Sequence, residues 1–155
     1  MGKFDLVTRI AAEPRRVFEA SLDVGVHTAS MAGAREEAVA GVTDRGLVLG
    51  DSVTWRARHF GVWWRMTAEI TAYEPPGFFV DEQRRGPFRS WRHEHRFTAD
   101  GDDTVMRDTV EFAVPFGPVG RLVEALVLQR YMVRLIDDRN RHLKQTLDRR
   151  PSAAD

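Results

Sequence analysis

Trp91, His93, His95 and Phe97 occupy alternate positions in the segment that runs from Gly86-Pro87-Phe88 to Phe97. In an extended strand successive side chains leave on opposite faces, so these four share one face. Arg92, Glu94 and Arg96 share the other. Two imidazoles between two large aromatics, with charges behind them, describe the wall of a mostly apolar cavity better than ordinary core. Imidazole changes charge near neutrality and can move a proton or ligate a metal.

The next segment supplies a partner. Asp100-Gly101-Asp102 has turn chemistry. If Ala99 pairs with Thr104 across that loop, His95 falls opposite Asp108, His93 opposite Val110, and Phe97 opposite Met106. Facing Cβ atoms are about 5 Å apart, which brings Asp108 onto the face of the two histidines. A carboxylate there fixes an imidazole tautomer and favours its charged form. In a water-poor cavity the His95–Asp108 pair could serve as general acid or base on a carbonyl or hydroxyl. The simpler reading is that Asp108 satisfies a buried histidine and pins the hairpin register. His93, His95 and Asp108 also meet the count of a two-histidine, one-carboxylate metal site, but no further ligand is assured nearby.

On the preceding strand either Asp81 or Glu82 must point inward. Glu82 shares parity with Phe78 and Val80 and reaches Trp91 if the turn from Arg85 to Phe88 is tight. The expected cavity lining therefore includes Phe78 and Glu82 with Trp91, His93, Phe97, Met106 and Val110. Of the adjacent Trp63 and Trp64, one must face away from the core side. An exposed tryptophan there would offer a partner or homodimer surface.

These residues need elements to position them. Phe4, Leu6, Thr8 and Ile10 alternate as a first strand. Pro14 suits a first helical position, and Val17, Phe18, Ser21 and Leu22 form a short helical stripe. Residues 23–36 read as a second short helix and loop. Strands are predicted over 37–43, 51–59, 62–74, 78–84, 88–98 and 104–114, punctuated by Gly-, Pro- and Asp-rich turns at a spacing that gives an antiparallel meander. After Pro115-Phe116-Gly117-Pro118 the period becomes helical, and a helix over 118–148 would be about 46 Å long. On it Leu126, Arg130, Met132, Val133 and Ile136 are placed to close a cavity, with Met132 and Ile136 as its lining. A curved antiparallel sheet of about seven strands burying one face against this helix is the α+β packing solution. The gap between them is where a small molecule would bind.

Composition narrows the function. The 155 residues suit one domain, residues 1–150, with 151–155 as a disordered tail. The 23 basic and 23 acidic residues cancel and are interleaved, which disfavours nucleic acid. Only Lys3 and Lys144 are lysine, a bias read as compositional rather than as phosphate recognition. The absence of cysteine excludes disulfides, thiol nucleophiles and thiolate metal sites. The N-terminus lacks the apolar core of a signal peptide, and no run is long enough to span a membrane, so a cytoplasmic location is the default expectation. Phosphate loops, nucleophile elbows and dinucleotide fingerprints are absent from the sequence.

The chain resembles the START-like helix-grip superfamily, and within it the bacterial SRPBCC or polyketide cyclase/dehydrase-like subgroup. The carrying residues are Ala12-Glu13-Pro14-Arg15-Arg16-Val17-Phe18, Gly50-Asp51-Ser52-Val53, and Pro75-Pro76-Gly77-Phe78-Phe79-Val80-Asp81-Glu82-Gln83. Gly86-Pro87-Phe88 with Trp91, His93, His95 and Phe97, then Asp108 and Pro115, complete the match from Phe4 to Arg149. The resemblance implies a helix-grip fold with a cavity for a small hydrophobic ligand, such as a lipid, isoprenoid or polyketide, and neither cofactor nor metal. Two alternatives stand beside binding or transport. One is a cyclase or dehydratase using His95 and Asp108; the other is a protein-interaction module with a vestigial cavity.

Overall fold

The computed structural model describes residues 2–149. The proposed tail at 151–155 lies outside the described residues. Seven strands form one antiparallel sheet: β1 (Gly2–Ile10), β2 (Glu37–Gly41), β3 (Ser52–His59), β4 (Val62–Glu74), β5 (Phe78–Arg85), β6 (Ser90–Asp100) and β7 (Asp103–Ala113). Their spatial order is β1-β7-β6-β5-β4-β3-β2, a meander closed by the first strand pairing with the last.

Two short helices, α1 (Pro14–Leu22) and α2 (Val24–Ser30), link β1 to β2. Pro14 begins α1 where its missing N–H costs nothing. Asp23 separates the helices because its carboxylate caps α2, accepting from Val26 N at 2.9 Å. Val17, Phe18 and Leu22 turn inward from α1. Phe18 meets Phe79, Phe97 and Tyr73 with ring centroids 5.5–5.6 Å apart.

The C-terminal helical stretch, Gly117 to Leu147, has the expected extent but not a uniform pitch. It comprises α3 (Gly117–Val123), a π-helical turn over Glu124–Leu128, and α4 (Gln129–Leu147). Val119, Val123, Leu128, Met132 and Ile136 face the sheet, four residues apart except for a step of five across the π turn. That step moves the inward stripe by one position. Leu126, expected inward on a uniform 3.6 period, is instead 63% exposed. At the start of this stretch Gly120 is required by close approach: a Cβ there would stand 1.9 Å from the Pro115 carbonyl oxygen.

The interior has two clusters. One gathers Ile10, Phe18, Leu22, Phe79, Phe97, Met106, Leu143 and Leu147 under α1 and the end of α4. The other gathers Phe4, Trp91, Val110, Phe112, Met132 and Ile136 under the start of α4.

Candidate functional site

Between the sheet and the first half of the C-terminal helix lies a cavity of about 630 Å³. Most of its wall is apolar, with Val53, Ala57, Met66, Ala68, Ile70, Trp91, Met132 and Ile136 among the lining residues. Its polar groups are grouped. At the inner end are Asp81, His93, His95 and Arg139; on the α2 side are His27 and Glu36, 2.7 Å apart, with the His27 ring tilted against Trp55 at 4.2 Å.

The β6–β7 register places His95 opposite Asp108, His93 opposite Val110 and Phe97 opposite Met106, as the loop chemistry predicts. The hydrogen bonds are distributed differently from the register. His93 Nε2 donates to Asp108 Oδ1 at 2.7 Å, whereas His95 Nε2 donates to Asp81 Oδ2 at 2.8 Å. His95 Nδ1 lies 3.2 Å from Asp108 Oδ1 without the alignment of a hydrogen bond, and is left unpaired. The two imidazoles stack with centroids 3.7 Å apart, and His95 stacks in turn on Phe79.

From the other side, α4 contributes two residues that the sequence did not single out. Asn140 Nδ2 donates to Asp108 Oδ2 at 2.7 Å, and Arg139 Nη1 donates to Asp108 Oδ1 at 3.3 Å and to Asn140 Oδ1 at 3.0 Å. Asp108 is completely buried and does not reach the cavity; the two histidines stand between them. Burial alone would raise the Asp108 carboxyl, but hydrogen bonding from His93, the adjacent His95 nitrogen and the Arg139 guanidinium hold it well below the usual range. Asp81 is likewise held below its usual value: burial opposes this, and the His95 hydrogen bond with the neighbouring His93 and Arg139 outweighs it. Burial and the neighbouring His95 push His93 down to about 4, despite Asp108 and Asp81. His93 is therefore a neutral imidazole at neutral pH.

Strand β5 has the opposite parity to that expected. Phe79 pairs with His95 and Asp81 with His93, so Phe79 and Asp81 face the cavity. Phe78 and Glu82 pair with Arg96 and Arg92 on the reverse face, where the Arg96 guanidinium covers the Phe78 ring at 4.4 Å. The expected pairing of Glu82 with Trp91 needed a tight turn. The connection is wider, because Gln83 bridges it through its side chain, accepting from Phe88 N and donating to Phe88 O. One added residue reverses every side chain of the strand. Phe78-Phe79-Val80 gave no alternation to reveal this.

Of the other predicted lining residues, Trp91, His93, Met132 and Ile136 do line the cavity. Phe97, Met106 and Val110 lie on the same inner face but are packed in the core, outside the lining. Of the tryptophans, Trp64 lines the cavity, and Trp63 lies beneath the Arg56 guanidinium at 4.0 Å.

The mouth is built from the β3–β4 turn and the approach to α3. Beside it His59 Nδ1 and the Tyr131 hydroxyl share a 2.5 Å hydrogen bond, and the Phe60 ring is tilted against Tyr131 at 4.5 Å. Burial lowers the His59 pKa. Phe60 and Phe116 both adopt left-handed backbone angles, at φ 54° and 75°, and both side chains are exposed. Such angles cost a non-glycine residue on the order of 1–2 kcal/mol, and two of the three such residues among the described ones, Arg35 being the third, stand at the mouth.

The fold recurs in solved structures of low sequence similarity. A protein from Thermus thermophilus, TTHA0849, superposes with a TM-score of 0.72 at 17% identity, over 93% of this chain and 98% of its own. Protein CV1439 from Chromobacterium violaceum gives 0.76 at 11% identity, over 96% and 99%. A START superfamily protein from Mycobacterium smegmatis gives 0.73 at 9% identity, over 95% and 97%. No protein of curated function matches in sequence. Among the described residues no helix is long and apolar enough to cross a membrane. A fold of the START-like helix-grip type, with a hollow between sheet and final helix, is thus present across the described residues. Residues 1–148 match the family described as polyketide cyclase / dehydrase and lipid transport, and the chain belongs to that family.

Proposed function

We propose that this protein binds a small, mostly hydrophobic molecule of the lipid, isoprenoid or polyketide kind, carrying one polar end, in the cavity between sheet and helix. The observation that carries this is the distribution of chemistry along the wall. Apolar side chains make up most of it, with one polar group at the inner end around Asp81, His93 and His95 and another on the α2 side at His27 and Glu36. An apolar body would lie along Met66, Ile70, Met132 and Ile136, while its hydroxyl, carbonyl or carboxylate meets the imidazoles. The volume suits a molecule of drug size or a folded chain.

Solvent extraction of freshly purified protein, with mass spectrometry of the extract, tests this. A stoichiometric apolar compound that is absent from extracts of an unrelated protein from the same host is expected. Extracts that contain none, together with failure of added fatty acids and polycyclic aromatics to bind, would refute it.

A cyclase or dehydratase is the second reading, favoured by two imidazoles that face the cavity with carboxylates behind them. Asp108 is sealed from the cavity, so its part would be to orient His93, while the imidazoles exchange protons with the ligand. The open cavity supports ligand binding over a protein-interaction module with a vestigial cavity, for which a filled interior is expected.

A further inference from the structure

Asp81, His93 and His95 present one ligand atom each, all within 4.8 Å of one another, at the inner end of the cavity. Asp81 Oδ2 is 2.8 Å from His95 Nε2 and 3.9 Å from His93 Nδ1. Two donors bound to one first-row ion at about 2.0–2.1 Å stand roughly 2.8–3.4 Å apart, between right-angled and tetrahedral geometry. The 2.8 Å spacing falls at the lower edge of that range, and the 3.9 Å spacing closes to it by a small turn of the His93 ring.

The second observation lies behind the rings. His93 Nε2 already donates to Asp108, which leaves His93 Nδ1 as the free lone pair on the Asp81 side. His95 Nδ1 is buried 3.2 Å from the same Asp108 oxygen and has no hydrogen bond. While His95 Nε2 carries the proton for Asp81, the bare Nδ1 faces a carboxylate. An ion on Nε2 reverses the tautomer: the proton moves to Nδ1, and a small turn of the ring aligns it to donate to Asp108. Asp81 turns from hydrogen-bond acceptor to ligand, and the unpaired atom gains its partner. Asp108, fixed by Asn140 and Arg139, would then orient both imidazoles, the outer-shell arrangement common to histidine metal sites.

We propose that Asp81, His93 and His95 bind one divalent transition-metal ion of the zinc class, with its open positions toward the cavity. Two imidazoles and a carboxylate select such ions over magnesium or calcium. The rings now stack with 27° between their planes, and coordination opens that angle so that the lone pairs converge. Asp81 and Asp108 outweigh Arg139 by one negative charge, so a divalent ion leaves one positive charge. An anionic oxygen of a bound molecule would match it. This goes beyond the ligand-binding reading, which needs no metal and would survive its failure.

Untagged protein freed of metal with a chelator would be titrated with Co²⁺ and followed by visible absorption and equilibrium dialysis. One Co²⁺ per chain is expected, with the intense bands of a four- or five-coordinate site, displaced by Zn²⁺. His95→Gln and Asp81→Asn should each weaken binding at least about tenfold, while His142→Gln leaves it unchanged. Where a variant fails to melt cooperatively, long-range ¹H–¹⁵N spectra of the wild-type protein replace it: Zn²⁺ should move the His95 proton from Nε2 to Nδ1. Uptake well below one ion per chain, uptake indifferent to both substitutions, or an unchanged His95 tautomer would overturn the proposal.

Discussion

The two halves of the interior are built from the same strands and the same helix, yet one is filled and the other hollow. Toward its C-terminal end α4 presses Leu143 and Leu147 onto Ile10, Ala12 and Phe18. Toward its start, Met132 and Ile136 face open space. Strand β6 records the same gradient: Phe97 lies in the filled half, His95 and His93 at the boundary, and Trp91 in the hollow one. The buried polar network of Asp81, His93, His95, Asp108, Arg139 and Asn140 sits at that boundary. What separates the halves is α1 and its Phe18, which plugs one end and leaves the other open. Buried polar groups at the edge of a void keep one side toward a ligand, which a sealed core does not allow.

The sharpest way to break this division is to remove its boundary. Asp108→Ala leaves Arg139 and Asn140 buried without their acceptor and should cost about 3–5 kcal/mol in chemical denaturation. A loss under about 1 kcal/mol would mean the network is not an anchor. Next comes the contrast between halves. Phe18→Ala should cost about 3–5 kcal/mol, as for a well-packed aromatic. Met132→Ala, already bordering empty space, should cost only about 1–2 kcal/mol, since the space it vacates merges with the cavity. Equal losses would contradict the contrast.

Acidification acts on the boundary through His93, and the lowered His59 at the mouth adds to it. His93 is held neutral in the fold with its pKa near 4, below its unfolded value of about 6.5. The unfolded chain therefore takes up a proton first, and stability should fall as pH drops from about 6.5 to 4. A shift of that size is worth on the order of 3 kcal/mol. Asp108 and Asp81, also depressed, extend the loss below about pH 4. His93→Gln should flatten the upper part of the profile. The smallest effect belongs to the mouth: Tyr131→Phe removes the bond to His59 and should cost about 1 kcal/mol or less, while speeding ligand release.

Much of this was legible in the chain. The strand meander, the β6–β7 register and the inward face of His93 and His95 follow from turn residues and period-two alternation, which are local. Asp81 was obscured because three consecutive apolar residues hide the parity of β5, and because a side-chain bridge by Gln83 set the width of a loop. Arg139 and Asn140 read as an ordinary polar helix face. Only the packing of α4 over β7 turns them toward Asp108. The π turn, which shifts the inward stripe by one residue, leaves no mark in a pattern already apolar on several sides. Local periodicity places strands; which faces meet depends on contacts far apart in sequence.

The hollow half can be tested by filling it. Ala68 on β4 is buried and lines the cavity, so Ala68→Trp would occupy the space from the sheet side. Fluorescence titration with anilinonaphthalene sulfonate, on protein stripped of bound apolar compounds, would compare the two chains, with a cooperative melt confirming that both are folded. One probe per wild-type chain is expected, with binding lost in Ala68→Trp. Equal binding by both folded chains, or none by the wild type, would contradict a ligand cavity between sheet and helix.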